Sequence, residues 1–255
     1  MLTLETVSVN GRNVNRAIAF SGKLIVKAPK KSYVEIEGRA YELRKSKYAL
    51  NFSPVCVSDD MSGKMEGIPS VSTSCLNNPI CLARMQQGDS ICAHCFAETT
   101  LKRYKDCGKN CLSNTVLLTS SILPDNLLPH FPNVSIVRIE SFGDVANVTQ
   151  AINYANMCRV NPLVTFAWWT KNVSIVAAAF DQVGKPDNVI LIESSPKVNN
   201  KIQPSSHYVD KVFTVYSKEY IIEHNIDINC GARCCATCRN CYRKDTGADV
   251  REQLK

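Results

Sequence analysis

Residues 163–195 read LVTFAWWTKNVSIVAAAFDQVGKPDNVILIESS, in which an apolar run, a helical pattern and a second apolar run follow one another. The runs 163–169 and 189–193 are apolar almost throughout, as in strands covered on both faces, and a helix over 173–182 supplies the crossover that parallel pairing needs. The unit is β-α-β. Working outward, residues 134–139 predict a strand, 146–158 a helix and 212–216 a further strand, so the alternation continues on both sides. This predicts an α/β fold with an incomplete parallel barrel, partial and TIM-like, of about four strands after Pro124 against eight in a full barrel.

In parallel sheets, sites form at the C-terminal ends of the strands. There the sequence places Ser141, Phe142, Gly143 and Asp144, then Thr170 and Lys171, then Ser194 and Ser195, then Tyr216, Ser217 and Lys218. Each alone is ordinary turn chemistry, but together they put polar groups on one rim. Trp168 and Trp169 end the second strand, so one is expected in the core and the other on the opposite face.

The second strong signal is CGARCCATCRNC, residues 230–241, where Cys235, Cys238 and Cys241 repeat every third residue. Repeated Cys-x-x-Cys loops aim thiolates at one centre, as in ferredoxin-type iron-sulfur ligation. Zinc is the alternative, weaker because no histidine lies in the run, and plain structural or disulfide cysteines are the remaining reading. Cys230 and Cys234 both precede the triplet, and either can be the fourth ligand.

With 255 residues and 45% hydrophobic content, the chain can bury a full core. The expected division is an N-terminal β appendage over 1–50, a cysteine loop plus α/β partial barrel over 51–225, and a cysteine-cluster segment over 226–255. Thirteen cysteines without a signal-peptide pattern predict a reducing cytosol, where cysteines serve as ligands or reactive thiols. No stretch reaches the ~20 apolar residues of a membrane span. A formal charge of +7 points towards a polyanion, although two four-thiolate clusters of about −2 each would offset roughly half of it.

Residues 2–48 favour β structure, with a strand core at 24–26 and alternation over 33–43 around a Glu37-Gly38 turn. Lys27, Lys30, Lys31, Arg44, Lys45 and Lys47 make this unit basic, which reads as a solvated face or, alternatively, a phosphate-contacting surface for nucleic acid. A polar loop over 49–90 then gives way to a helix from Ile91. Around it lie Cys75, Cys81, Cys92 and Cys95, and the last two form a knuckle at a helix start, where the dipole favours thiolates. These four predict a second metal site. His94 reads as a neighbour of the ligands more than as one of them; Cys107 and Cys111 read as helix-end packing, and Cys56 and Cys158 as bulk cysteines.

Cys75, Cys81, the Cys95-Phe96-Ala97 helix start, Gly143-Asp144 and Trp169-Thr170-Lys171 after strands, and the terminal Cys-x-x-Cys-x-x-Cys-Tyr together resemble the phage gene product 88 family over about residues 65–245. Members look in outline like radical S-adenosylmethionine enzymes. The resemblance implies one or two [4Fe-4S] clusters, S-adenosyl-L-methionine as a cofactor, an electron donor, and a location in the host cytoplasm. Cys75, Cys81 and Cys95 would be the ligands of the first cluster. Gly143 and Asp144 would hold the methionyl amine, with Thr170, Lys171 and Ser194 lining the same cofactor site. One departure matters: Cys92 is an extra thiol, which would close the fourth iron unless that position is left vacant. The alternative reading is a zinc- or cluster-stapled protein that binds nucleic acid or a host partner without catalysis.

Overall fold

The computed structural model describes residues 3–9, 12–18, 24–28, 31–231 and 234–254. An antiparallel meander of β1 (Thr3–Val9), β2 (Arg12–Ile18), β3 (Leu24–Ala28), β4 (Lys31–Ile36) and β5 (Arg39–Leu43) comes first. The predicted hairpin is therefore part of a larger five-stranded sheet. Its tight turn holds both central residues at positive φ, Glu37 at 50° and Gly38 at 76°, which matches the twist of the flanking strands. Gly38→Ala is expected to cost about 1 kcal/mol, read from the denaturant midpoint, because alanine pays the left-handed penalty that glycine escapes.

The second sheet holds β6 (Val57–Ser58), β7 (Ser70–Val71), β8 (Ile136–Ile139), β9 (Thr165–Thr170), β10 (Val189–Ser194), β11 (Lys211–Tyr216) and β12 (Asp249–Gln253). They lie side by side in chain order, parallel from β7 to β12, with β6 antiparallel at one edge. The predicted alternation is present, but five strands follow Pro124, one more than expected. β12, reading DVREQ, escapes a pattern search because only Val250 is apolar. β7 escapes it because two residues carry no period.

The helices are α1 (Pro79–Met85), α2 (Phe96–Arg103), α3 (Lys105–Ser120), α4 (Val148–Arg159), α5 (Val173–Val183), α6 (Lys218–Glu223) and the single turn α7 (Cys235–Cys238). Residues 91–94, expected to start a helix, form a separate 3-10 turn, and α2 begins after Cys95. Strands laid down in one direction with one crossover hand put their helices on one face. Accordingly, Val137, Ile139, Phe166, Trp168, Val189 and Leu191 pack with α3, α4 and α5, and Val34, Ile36 and Tyr41 of the first sheet join the same buried cluster. On the other face, Ile136, Ala167, Trp169, Ile190 and Ile192 pack with Tyr242 of the terminal cysteine segment. The two tryptophans thus point to opposite faces and both are buried. Among the described residues, no helix is long and apolar enough to cross a membrane.

The basic residues of the first unit are partly neutralised within the fold. Lys31 and Arg44 both pair with Glu42, and Lys47 pairs with Asp60. The side chains of Lys27 and Lys30 lie outside the described residues.

Candidate metal centres

The loop leaving β7 carries Cys75, α1 carries Cys81, the 3-10 turn carries Cys92, and Cys95 is the N-cap of α2. Each start has a local cause. Asn78 accepts from the Ile80 N–H and Pro79 opens α1, while Ser90 Oγ accepts from the Cys92 N–H at 3.1 Å. Cys75 and Cys95 pack in one cluster, where their thiols influence each other, and Cys81 feels the charges of Asp144 and Cys92. The neighbouring Cys75 thiol, helped by the start of α2, holds Cys95 down at about 6 against burial. Its partner Cys75 is pushed up. Cys95 is favoured as the thiolate of the pair, because it stands at the N-terminus of α2, where the helix dipole stabilises negative charge.

These thiols sit at the C-terminal end of the strands. Ile91 N–H donates to the Pro196 carbonyl at 2.9 Å just past β10, Cys75 N–H donates to the Phe142 carbonyl just past β8, and Lys171 exerts its charge on Cys81 and Cys95. The upstream cysteines and the strand-end rim therefore share one mouth. Within it, Asp144 is spent on the fold. Its Oδ1 accepts from Thr170 Oγ1 at 2.6 Å and the Val145 N–H at 2.8 Å, its Oδ2 from the Lys171 N–H at 2.9 Å, and Arg84 lies 3.6 Å away. A carboxylate has about four acceptor positions, so little remains for a ligand amine. Thr170 Oγ1 also accepts from the Asn172 N–H, and a Cβ on Gly143 would meet the Thr73 carbonyl oxygen at 2.5 Å. Gly143, Asp144 and Thr170 lock the ends of β8 and β9 together. Ser194 is buried at the end of β10.

Beside this rim lies a residue that sequence reading passed over. Glu140 is buried at a φ of 60°, and four donors converge on it: Thr73 N–H at 3.0 Å, Thr73 Oγ1 at 2.7 Å, Gln150 Nε2 at 2.8 Å and Tyr154 OH at 2.7 Å. Burial nevertheless pushes its carboxyl up to about 7. The one sequence signal was a carboxylate directly after a strand, β8.

At the C-terminus, buried Lys211 donates to the carbonyls of Thr246 and Gly247, which ties this segment to β11. Cys230 joins β12 through an N–H bond to the Arg251 carbonyl at 2.9 Å. Cys230, Cys235, Cys238 and Cys241 line one cavity of about 510 Å³ together with Val250 and Tyr242. Cys234 is turned elsewhere, its thiol donating to the Glu66 carbonyl at 3.7 Å. Two cations face this cavity's thiols. Lys64 Nζ lies 3.8 Å from Cys230 Sγ and 2.6 Å from Glu252, and Arg138 acts on Cys235 and Cys241. Burial pushes Cys241 up to about 12, and Arg138 is the largest influence opposing it. Among the described residues, no three Cys, His, Asp or Glu side chains converge closely enough, as they stand, to hold a single metal ion.

The remaining thiols are placed as follows. Cys107 and Cys111 lie one turn apart near the start of α3 and pack in one cluster, Cys158 is buried in the core, and Cys56 receives a bond from Arg44 Nη1 at 3.1 Å. The Arg44 contact is long-range, so reading the sequence around Cys56 could not show it.

Compared with known proteins, the chain matches the family model described as Gene product 88 over residues 38–253. This is wider than the stretch on which the sequence resemblance rests, and it takes in β5 of the first sheet. No curated protein and no solved structure matches.

Proposed function

Since the chain belongs to the Gene product 88 family, of phage gene products, we propose that it is an iron-sulfur protein whose terminal cluster is held by Cys230, Cys235, Cys238 and Cys241. The observation that carries this reading is the ring of four thiols around one cavity, with cationic side chains set against it. Its volume falls in the ordinary range of cofactor sites, ~300–1,000 Å³. The donor set suits the group: thiolates are what iron-sulfur clusters take, and the neighbouring positive charge offsets the anionic cluster they form. Cys234 is left out of this set by its contact with Glu66.

When bound, such a cluster supplies one-electron transfer. The chain's own residues supply the rest. Thiolates fix position, Trp169 and Tyr242 exclude water from one side, and Lys64 and Arg138 offset charge.

The upstream set, Cys75, Cys81 and Cys95 with Cys92 beside Cys81, is the second centre. Its position at the mouth of a parallel sheet wound in one direction supports the radical S-adenosylmethionine-like version of the reading. In that version Lys171 and Ser194 would line the cofactor site, while Gly143, Asp144 and Thr170 hold the rim. An electron donor is then the required partner.

The test is the iron, acid-labile sulfide and absorption spectrum of anaerobically purified protein. Iron is expected with equimolar sulfide, and Cys238→Ser is expected to lose about four irons per chain, one cluster's worth. Its C-terminal segment should also become protease-sensitive, because ligand binding and folding are linked. Purified protein with zinc and no sulfide, or full iron retention in Cys238→Ser, would rule the reading out.

A further inference from the structure

Arg138 sits in the middle of β8, where its neighbours Val137 and Ile139 point to the helical face and its own side chain points to the other. That face is apolar, built from Ile136, Ala167, Trp169, Ile190 and Ile192. A guanidinium has no reason to be there unless something anionic receives it, since an unpaired charge held among apolar groups is costly.

Among the described residues, its surroundings supply no carboxylate within ion-pair distance. The guanidinium carbon stacks over the Trp169 ring at 3.5 Å from the centroid, and Nη1 reaches only the weak acceptor Met65 Sδ at 3.9 Å. Its Nε is buried and has no hydrogen-bond partner among the described residues. Of the other cations near this face, Lys64 has the carboxylate of Glu252 and buried Lys211 has the carbonyls of Thr246 and Gly247. Arg138 has no such carboxylate among the described residues. What packs on this face around Trp169, over which the guanidinium lies, is Tyr242, with ring centroids 6.2 Å apart, and the cysteines Cys235 and Cys241.

We propose that Arg138 is the counter-charge of the terminal thiolate centre and sets its reduction potential. The inference rests on the iron-sulfur reading and adds a residue that touches no metal itself. Trp169 holds the guanidinium by a cation–π contact, so the charge stays directed at the thiolates without being neutralised by a carboxylate. A fixed positive charge favours the reduced cluster, which carries one more negative charge than the oxidised one. Arg138 therefore raises the potential, in the way that net charge around a cluster generally tunes it.

The experiment is a redox titration of anaerobically purified wild type, Arg138→Gln, Arg138→Lys and the charge control Lys109→Gln, with iron and sulfide measured on each. Lys109 is exposed on α3 beside Asp106, away from the terminal segment. In Arg138→Gln the oxidised-to-reduced ratio at fixed potential should rise about tenfold, a fall of ~59 mV for one electron. Arg138→Lys should stay near wild type, and Lys109→Gln should not move. If Arg138→Gln sheds iron that Arg138→Lys keeps, the charge is needed for assembly, which also supports the inference. An iron-loaded Arg138→Gln with an unchanged midpoint would overturn the inference alone. Loss of iron from both Arg138 variants would do the same, by showing a packing role. Wild type lacking iron and sulfide would overturn the iron-sulfur reading and this inference together.

Discussion

Glu140→Ala should destabilise the protein by about 4 kcal/mol, one of the largest effects expected of any single substitution in it. Four donors converge on the carboxylate, and alanine leaves each to find another acceptor in a site that water does not reach. Orphaning a buried donor costs about 1–3 kcal/mol. The sum is not the expectation, because Gln150 Nε2 already lies 3.4 Å from both Thr73 Oγ1 and Tyr154 OH, and these groups can partly satisfy one another. The Thr73 N–H cannot move. The loss should show as a lower denaturant midpoint at unchanged slope.

The same residue sets a pH dependence. In the folded protein burial raises the Glu140 carboxyl from 4.5 to about 7, so its share of stability is complete below 4.5 and is lost as pH rises through 7. At ~1.4 kcal/mol per pH unit, that interval amounts to about 3 kcal/mol. Glu140→Gln cannot ionise, so its stability should fall less than that of wild type between pH 5 and pH 8. Parallel stability curves for the two proteins would show that Glu140 does not titrate in this range.

Gly143→Ala should cost about 3 kcal/mol or more, for a different reason. The added Cβ would meet the Thr73 carbonyl oxygen at 2.5 Å and its hydroxyl oxygen at 2.7 Å, closer than real Cβ contacts come. Thr73 cannot yield easily, because its N–H and hydroxyl are both held by Glu140. Relief must come from separating β7 from the end of β8, which is overpacking paid in backbone displacement. Because the shortest contact is to a backbone atom, Thr73→Ala in the same chain should not restore stability. If it did, the hydroxyl would be the obstacle and the close strand approach would not be the cause.

The β/α alternation was legible because strands covered on both faces must be apolar along their length, and the intervening segments carry a helical period. The terminal cysteine run was legible because ligand spacing is a local property. What escaped were features without local pattern. β7 has two residues, β12 has a single apolar one, and α3 follows α2 after one residue, so none stands out by period.

Side-chain duty escaped as well. Asp144 is a strand-end acid in sequence, yet three donors from β9 and its own loop consume its acceptors. Cys230 and Cys234 are equivalent by spacing, and only the Glu66 carbonyl and the position of β12 turn one outward and the other into the cavity. Arg138 in β8 and Glu140 just after it are two ordinary charges in sequence, and their importance comes from partners up to 73 and 67 residues away. A sequence by itself carries period, composition and the identity of reactive groups. Which face a group points to, and whether its hydrogen-bonding capacity is already used, depends on residues brought together by long-range contacts, and here only the tertiary structure decided it.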